Sequence, residues 1–303
     1  MTRHFRTLLD LTSEELVTLL DRADVLRADR LASRALAGKT VVILLEKSST
    51  RTRVSFEVGV HELGGLPLTL VAKDTQLGRG EPLSDTARMF SGYAHAVVYR
   101  TFGHDRIEEL AAHSSVPIIN GLSDTYHPCQ LLADLQTVRA EFSRLERVKV
   151  AWIGDGNNMA HSWILASARL GLSLRLACPD GYEPSPEIVA QAIALGGDIE
   201  VMRDPVDAVR GAEVVTTDVW SSMGQEAENA IRQKAFARYG VDDALMSEAA
   251  PSSIFLHCLP AHRGEEVSAS VIDGPRSRVW IEAENRLHAQ KALLELLVST
   301  PRR

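Results

Sequence analysis

The chain has 303 residues, 45% of them hydrophobic, and a formal net charge of −7, with a sequence pI near 5.8. That length allows two domains of ordinary size or one large one, with enough apolar residues for a sizeable core. The acidic balance excludes a general basic field for nucleic acid, so a basic cluster in this chain marks a local anion site.

In chain order, the opening "MTRHFRTLLDLTSEEL" has no uninterrupted apolar core and no cleavage site of a secretion signal. Within it, Thr12 and Glu15 form a capping-box pattern, predicting a helix to about Arg34. "TVVILLE" reads as a strand and "TRVSFEVGVHELG" as a helix stopped by glycine. "LPLTLVA" is a strand, "LSDTARMFSGY" a helix, "HAVVYR" and "VPIIN" strands, and "PCQLLADLQTVRAEFSRL" a long helix. A second series starts at Val148. Its strand candidates are "VKVAWIG", "LSLRLACP", "GDIEVM", "AEVVTTDV", "SIFLHC" and "RVWIEAE", with helices such as "HSWILASARLG" between them. The final helix, "ENRLHAQKALLELLV", could pack on either series.

Short apolar strands alternating with helices argue parallel sheets covered on both faces. Two such series argue two α/β domains joined by the long helix near residues 127 to 145. No apolar run reaches the length of a membrane span. Cys129, Cys178 and Cys258 cannot all pair within one chain, which fits free thiols in a reducing compartment. The expectation is a soluble cytoplasmic protein.

In parallel α/β sheets, ligands sit beyond the carboxyl ends of the strands, at helix N-termini. "SSTRTR" occupies that position, where free N–H groups, hydroxyls and guanidinium groups converge on one spot suited to phosphate. The blander reading is a polar turn with solvent-facing arginines. It is no P-loop, because the glycine pattern and lysine are missing. Arg100 closes another strand, and "YHPCQLLAD" places His127 and Gln130 where both can face one ligand. In "WIGDGNNMAHSW", a strand, "GDG" and a helix imitate half a dinucleotide fingerprint. Met159 stands where the third glycine belongs, which argues against a nicotinamide cofactor. Asn157 and Asn158 read instead as helix caps or as amides for a zwitterionic ligand. Asp218 ends a strand and suits an ammonium; Ser222, Met223 and Gly224 follow in a loop. Cys258 ends the next strand beside His257, either as core or facing a ligand. The cysteines lack the paired spacing of a zinc site.

"STRTR", "HPCQLLAD", "GDGNNMAHS", "DVWSSMG", "HCLPAHRGEEV" and "EAENRLHAQKALL" occur in the order and spacing of the aspartate/ornithine carbamoyltransferase family. The chain resembles that family over nearly its whole length. The resemblance implies two domains, each a parallel β-sheet flanked by helices, joined by long interdomain helices. Residues 1–132 would bind carbamoyl phosphate, with the C-terminal helix 286–303 packing back on them, and residues 133–285 would bind ornithine. By motif, Ser49, Thr50, Arg51 and Thr52 would hold the phosphate, with Arg100 adding charge and Arg53 supporting the turn. His127, Pro128, Cys129 and Gln130 would hold the carbamoyl group, and Gln76 would reach a neighbouring subunit's site. Cys258, Leu259 and Arg286 match positions at the reacting centre, and Asn158, Asp218, Ser222 and Met223 match ornithine-binding positions. The catalytic set would be Arg51, Arg100, His127 and Cys258.

The implied reaction moves a carbamoyl group to the δ-amine of ornithine, in a trimer, sometimes stacked, and calls for no metal or organic cofactor. Aspartate as acceptor would want cationic partners where this chain offers Asp218. Acceptors such as putrescine or N-acylated ornithine, and a non-catalytic regulatory protein on the same fold, are the other rivals.

Overall fold

The computed structural model describes residues 2–221 and 228–298. The chain divides into two compact units, Met1–Gln136 with Glu284–Arg303, and Thr137–Ala283.

In the first unit, α1 (Ser13–Ala28) starts at the Thr12–Glu15 capping box. It ends earlier than Arg34 because its buried face, Leu16, Leu19, Leu20, Ala23 and Leu26, is followed by exposed residues with Leu31 among them. Then come β1 (Thr40–Leu45), α2 (Thr50–Glu62), β2 (Leu66–Val71), α3 (Leu83–Tyr93), β3 (Ala96–Arg100), α4 (His104–Ala112), β4 (Ile118–Leu122) and α5 (Pro128–Phe142). The four strands form one parallel sheet in the order β2-β1-β3-β4. One face of its core holds Val42, Leu44, Val97, Tyr99 and Ile118 under Phe90, Ile107 and Leu110. Phe5 adds a single parallel bridge to Ile119 of β4.

The second unit contains β5 (Lys149–Ile153), α6 (Asn158–Leu170), β6 (Ser173–Ala177), α7 (Pro186–Ala194), β7 (Asp198–Met202), α8 (Pro205–Val209), β8 (Val214–Thr217), α9 (Asn229–Phe236), α10 (Asp243–Glu248), β9 (Ile254–His257) and α11 (Ala269–Ile272). Its strands form a parallel sheet in the order β7-β6-β5-β8-β9. Ala151, Ile153, Val215 and Phe255 pack there with Phe236, Tyr239 and Val271. The last helix, α12 (Val279–Val298), and α5 each cross a boundary between the two units.

The expected strand "RVWIEAE" is instead the first two turns of α12. Its apolar residues imitate a strand, but Val279, Glu282, Asn285 and Arg286 are buried while Trp280 is exposed, which is helical spacing. Residues 276–278 run beside the sheet edge, where Arg278 N–H donates to Phe255 O at 2.9 Å, and Glu282 Oε2 then accepts from His257 N–H at the end of β9 at 2.9 Å. Helix α4 was not expected from the sequence. Its buried face is only Ile107, Leu110 and Ala111, too short a signal in a polar stretch.

Strand order fixes where ligands fit. In the first sheet the order reverses between β1 and β3, and in the second between β5 and β8. A crevice opens beyond the carboxyl ends of such a pair, because the helices after the two strands lie on opposite faces.

Candidate active site

In the first unit, the turn after β1 meets the N-terminus of α2. Ser49 caps that helix, its Oγ accepting from Thr52 N–H at 3.2 Å. No acidic residue stands in the first turn, so the dipole and free N–H groups present an undiluted positive end. Thr52 is fully buried, and its Oγ1 accepts from Arg286 Nη2 at 3.1 Å. Arg51 is half-buried and Thr50 exposed. Arg53 turns along the helix to pair with Glu57 at 2.9 Å, and Glu57 also accepts from Thr69 on β2 at 2.6 Å.

Arg100 is the last residue of β3, 8% exposed. A register shift between Tyr99 and Arg100 against β4 re-aims the strand end, as bulges near sites do. Glu46, leaving β1, donates its N–H to Arg100 O at 2.9 Å. Its carboxylate receives Thr101 Oγ1 and Arg106 Nη2, the latter at 2.6 Å.

His127 precedes α5 and is buried. Burial, with Arg286, Arg100 and Arg51 close by, drives its imidazole well below the ordinary histidine value. Three guanidinium groups therefore bear on one neutral ring, a cationic spot inside an acidic chain. Pro128 opens α5. Cys129 donates its thiol to Asn120 O at 3.3 Å, and burial pushes that thiol up to about 12, so its side chain is inert packing. Gln130 donates Nε2 to Asp134 Oδ1 at 2.8 Å, which presents the amide oxygen at its other end. Gln76 is exposed, just before the short turn Leu77–Arg79 between β2 and α3.

In the second unit, three adjacent strand ends carry the polar groups. The pairing of Ile153 with Thr217 and Thr217 with His257 sets the residues after β5, β8 and β9 side by side. Asn157 caps α6, its Oδ1 accepting from Met159 N–H at 2.9 Å and Ala160 N–H at 3.3 Å. Its Nδ2 donates to Asp218 Oδ2 at 2.9 Å. Asp218 Oδ1 accepts from Val219 N–H at 2.8 Å and from the Cys258 thiol at 3.1 Å. Asn158 is the first residue of α6. Gly156 is required by packing: a Cβ there would lie 2.1 Å from Pro184 N. The "GDG" resemblance to a nucleotide fingerprint thus has a packing cause.

Leu259 takes a left-handed backbone, φ 58°, and donates its N–H to His257 Nδ1 at 2.9 Å. The His257 proton therefore sits on Nε2, 3.2 Å from the buried Glu266 Oε1. Asp218, His257 and Cys258 bring one ligand atom each within 4.8 Å of one another, but both nitrogens of His257 are engaged in these hydrogen bonds. Beside them, buried Arg232 bonds Asp155 and the Trp220 carbonyl and lies 4.8 Å from the Tyr182 ring centroid. Burial raises the Asp155 carboxyl to about 6 against the pull of Arg232, with Asp218 adding to the rise. Ser222 and Met223 lie outside the described residues.

The structure thus gathers Thr52, Arg51, Arg100, His127 and Arg286 in one unit, and Asp218 and Cys258 in the other. Sequence reading missed Asp134, which holds Gln130, Glu266, which bonds His257, and the buried Asp155–Arg232 pair, whose carboxylate feels the charge of Asp218. Only Asp134 carried a signal, standing one helical turn after Gln130.

Residues 3–140 match the family model described as the carbamoyl-P binding domain of aspartate/ornithine carbamoyltransferase. Residues 146–297 match its Asp/Orn binding domain. The chain is 54% identical to the ornithine carbamoyltransferase of Acidothermus cellulolyticus, over 98% of this chain and 97% of that one. It is 55% identical to that of Halorhodospira halophila, over 98% and 99%. Among solved structures it resembles the Pyrococcus furiosus ornithine carbamoyltransferase, with a TM-score of 0.94, 47% identity and coverage of 99% and 98%.

Proposed function

This chain belongs to the aspartate/ornithine carbamoyltransferase family, and from that premise we propose that it moves the carbamoyl group of carbamoyl phosphate to the δ-amine of L-ornithine, giving L-citrulline and phosphate. The reading places it in arginine metabolism. One observation carries it beyond the likeness to relatives: a neutral, buried His127 under the influence of three arginines, in a chain that also holds a buried carboxylate bonded to an amide and a thiol. The first arrangement suits an acyl phosphate with a polarisable carbonyl. The second suits an amino acid bearing an ammonium.

In this reading Ser49, Thr50, Arg51 and Thr52 bind the phosphate, using the free N–H groups of α2, and Arg100 and Arg286 neutralise the charge that grows as it leaves. The neutral His127 donates to the carbamoyl oxygen, while Gln130 offers its amide oxygen to the carbamoyl NH2. Cys129, its thiol spent on Asn120, gives the ligand main-chain contacts only, as does Pro128. Asp218 holds the α-ammonium of ornithine, with Asn158, Ser222 and Met223 around the amino-acid end. Cys258 and Leu259 border the reacting amine.

The attacking δ-amine must be neutral, whereas an alkyl ammonium ionises near ~10.4. Attack on the carbamoyl carbon gives a tetrahedral oxyanion, which collapses as phosphate departs, and the phosphate itself takes up the amine proton. No step requires a dedicated side-chain base. Aspartate fits poorly as acceptor, because its second carboxylate would face Asp218.

The chain acts as a trimer in this proposal, with Gln76 reaching a neighbour's site. The reading is supported by exposed Leu66 and Leu68 on one face of the edge strand β2, apolar surface that a second copy would cover. A cytoplasmic location is in keeping with three free cysteines, and no helix among the described residues is long and apolar enough to cross a membrane. The test is a citrulline-forming assay on the purified protein with ornithine, aspartate and putrescine in parallel. Turnover with ornithine alone is expected; turnover with aspartate and not ornithine refutes the reading.

A further inference from the structure

Arg286 reaches the anion half-site from α12, and a second buried contact on the same helix fixes where it reaches. About one and a half turns further along, Lys291 is fully buried, 0% exposed. Its Nζ donates to Glu62 Oε2 at 2.8 Å and to the Arg30 carbonyl. Glu62 is the last residue of α2, and it also accepts from Arg30 Nε at 2.9 Å. Burial opposes its ionisation, but the bonds from Arg30 and Lys291 win and hold its carboxyl below the ordinary value. Two cationic side chains thus converge on the C-terminal end of α2, where the helix dipole favours them.

The stem of Lys291 rests on Gly59. A Cβ at Gly59 would stand 3.1 Å from Lys291 Cγ and 3.4 Å from Leu287 Cδ1, so the missing side chain is what lets α12 lie this close to α2. The two helices are therefore joined twice, by Arg286 to Thr52 near the start of α2 and by Lys291 to Glu62 at its end. A buried ion pair contributes little stability that a well-packed apolar pair would not, but its directed bonds can specify register.

We propose that the Glu62–Lys291 pair, seated on Gly59, is a positioning device for the carbamoyl phosphate half-site: it fixes the register of α12 against α2 and so holds Arg286 on Thr52. This rests on the reading of that half-site given under the proposed function. Neither residue touches substrate. Each acts through Arg286, where a misplacement of about 1 Å costs on the order of 100-fold.

The test compares wild type, Lys291→Met, the double variant Glu62→Leu/Lys291→Met, Arg22→Met and Arg51→Ala. The readouts are the Kd for inorganic phosphate, KM for carbamoyl phosphate and for ornithine, and Tm. Lys291→Met is expected to raise the phosphate Kd and the carbamoyl phosphate KM by about tenfold, with the ornithine KM unchanged. The double variant, with no charge left buried alone, is expected to regain Tm without regaining phosphate affinity. That separates register from packing. Arg22→Met breaks a different tie of α12, the 2.6 Å pair of Arg22 with Glu295, and is expected to bind phosphate as wild type does. Wild-type phosphate affinity in Lys291→Met overturns the proposal. Should that variant not fold, wild-type affinity in the double variant overturns it instead, and so does an equal loss in Arg22→Met. Unchanged phosphate affinity in Arg51→Ala refutes the half-site itself, a separate failure.

Discussion

Replacing Asp218 with asparagine changes one atom and exposes the logic of the amino-acid half-site. Asp218 is 8% exposed and accepts three bonds, two at Oδ1 and one at Oδ2. An asparagine keeps its oxygen toward Val219 N–H and the Cys258 thiol, leaving Nδ2 against Nδ2 of Asn157. Asn157 cannot turn over in response, because its oxygen caps α6 through two N–H groups. The forced donor–donor contact costs about 1–3 kcal/mol. In a unit of this size, each kcal/mol lowers Tm by roughly 2–4 °C. Separately, the ligand's α-ammonium loses a charge-assisted bond, about 1.5–3 kcal/mol, or roughly 10- to 150-fold in affinity. Calorimetry with norvaline, added after carbamoyl phosphate, reads that loss without turnover, since norvaline lacks the δ-amine. Carbamoyl phosphate affinity should stay within about twofold, because its contacts lie on other residues. If Asp218→Asn binds norvaline as tightly as wild type, Asp218 does not hold the α-ammonium and the assignment is wrong.

Arg51→Ala should keep its fold and lose on the order of 100-fold or more in kcat/KM, because it removes a forked contact to phosphate that even a lysine's point charge could not fully replace; near-normal turnover would refute the phosphate assignment. Mixing Gln76→Ala with Arg51→Ala chains, then dissociating and reassembling them, should restore activity above either parent if sites are shared between subunits, and its absence in proven hybrids counts against sharing. His127 should remain a neutral imidazole in nitrogen-15 NMR spectra at pH 6, where a free histidine is largely charged. Since its folded value lies below its unfolded one, its contribution to stability is complete above about 6.5 and is lost as pH falls below that, because only the unfolded chain gains the proton readily. His127→Gln should accordingly show a smaller fall in denaturant midpoint from pH 7 to pH 5 than wild type does, and an equal fall refutes the argument.

Strand ends were legible because parallel strands are nearly continuous apolar runs and their ligands gather where those runs stop. "TVVILLE" followed by "SSTRTR" therefore marked both β1 and the N-terminus of α2 at once. Where the two signals separate, the reading failed. "RVWIEAE" has strand-forming residues but helical burial, and α4 buries too few residues to announce itself. Within the site, residue type was legible and state was not. Nothing in "HPCQ" says that the histidine is driven neutral while its cysteine neighbour is inert. The first follows from burial and from arginines distant in sequence, the second from burial, which outweighs the opposing pull of Arg286. The same holds for Arg232, whose partner Asp155 stands on the far side of three strands in chain order.

The route of the chain gives the molecule a timetable. Thr137–Ala283 is one uninterrupted stretch, whereas its companion unit is completed only by Glu284–Arg303. Thr52 and Arg286 stand 234 residues apart and meet at 3.1 Å. Closing so long a loop adds little free energy, since each doubling of length costs only about 0.6 kcal/mol. It does impose an order of events on the ribosome. The four strands of the first sheet emerge early, a whole domain's length of chain follows, and only then does the helix appear that brings Arg286 and Lys291. A nascent chain halted short of that helix presents Ser49, Thr52 and His127 without the guanidinium that grips Thr52. On the proposed reading of that half-site, competence for the anion is therefore among the last properties the protein acquires in its own synthesis.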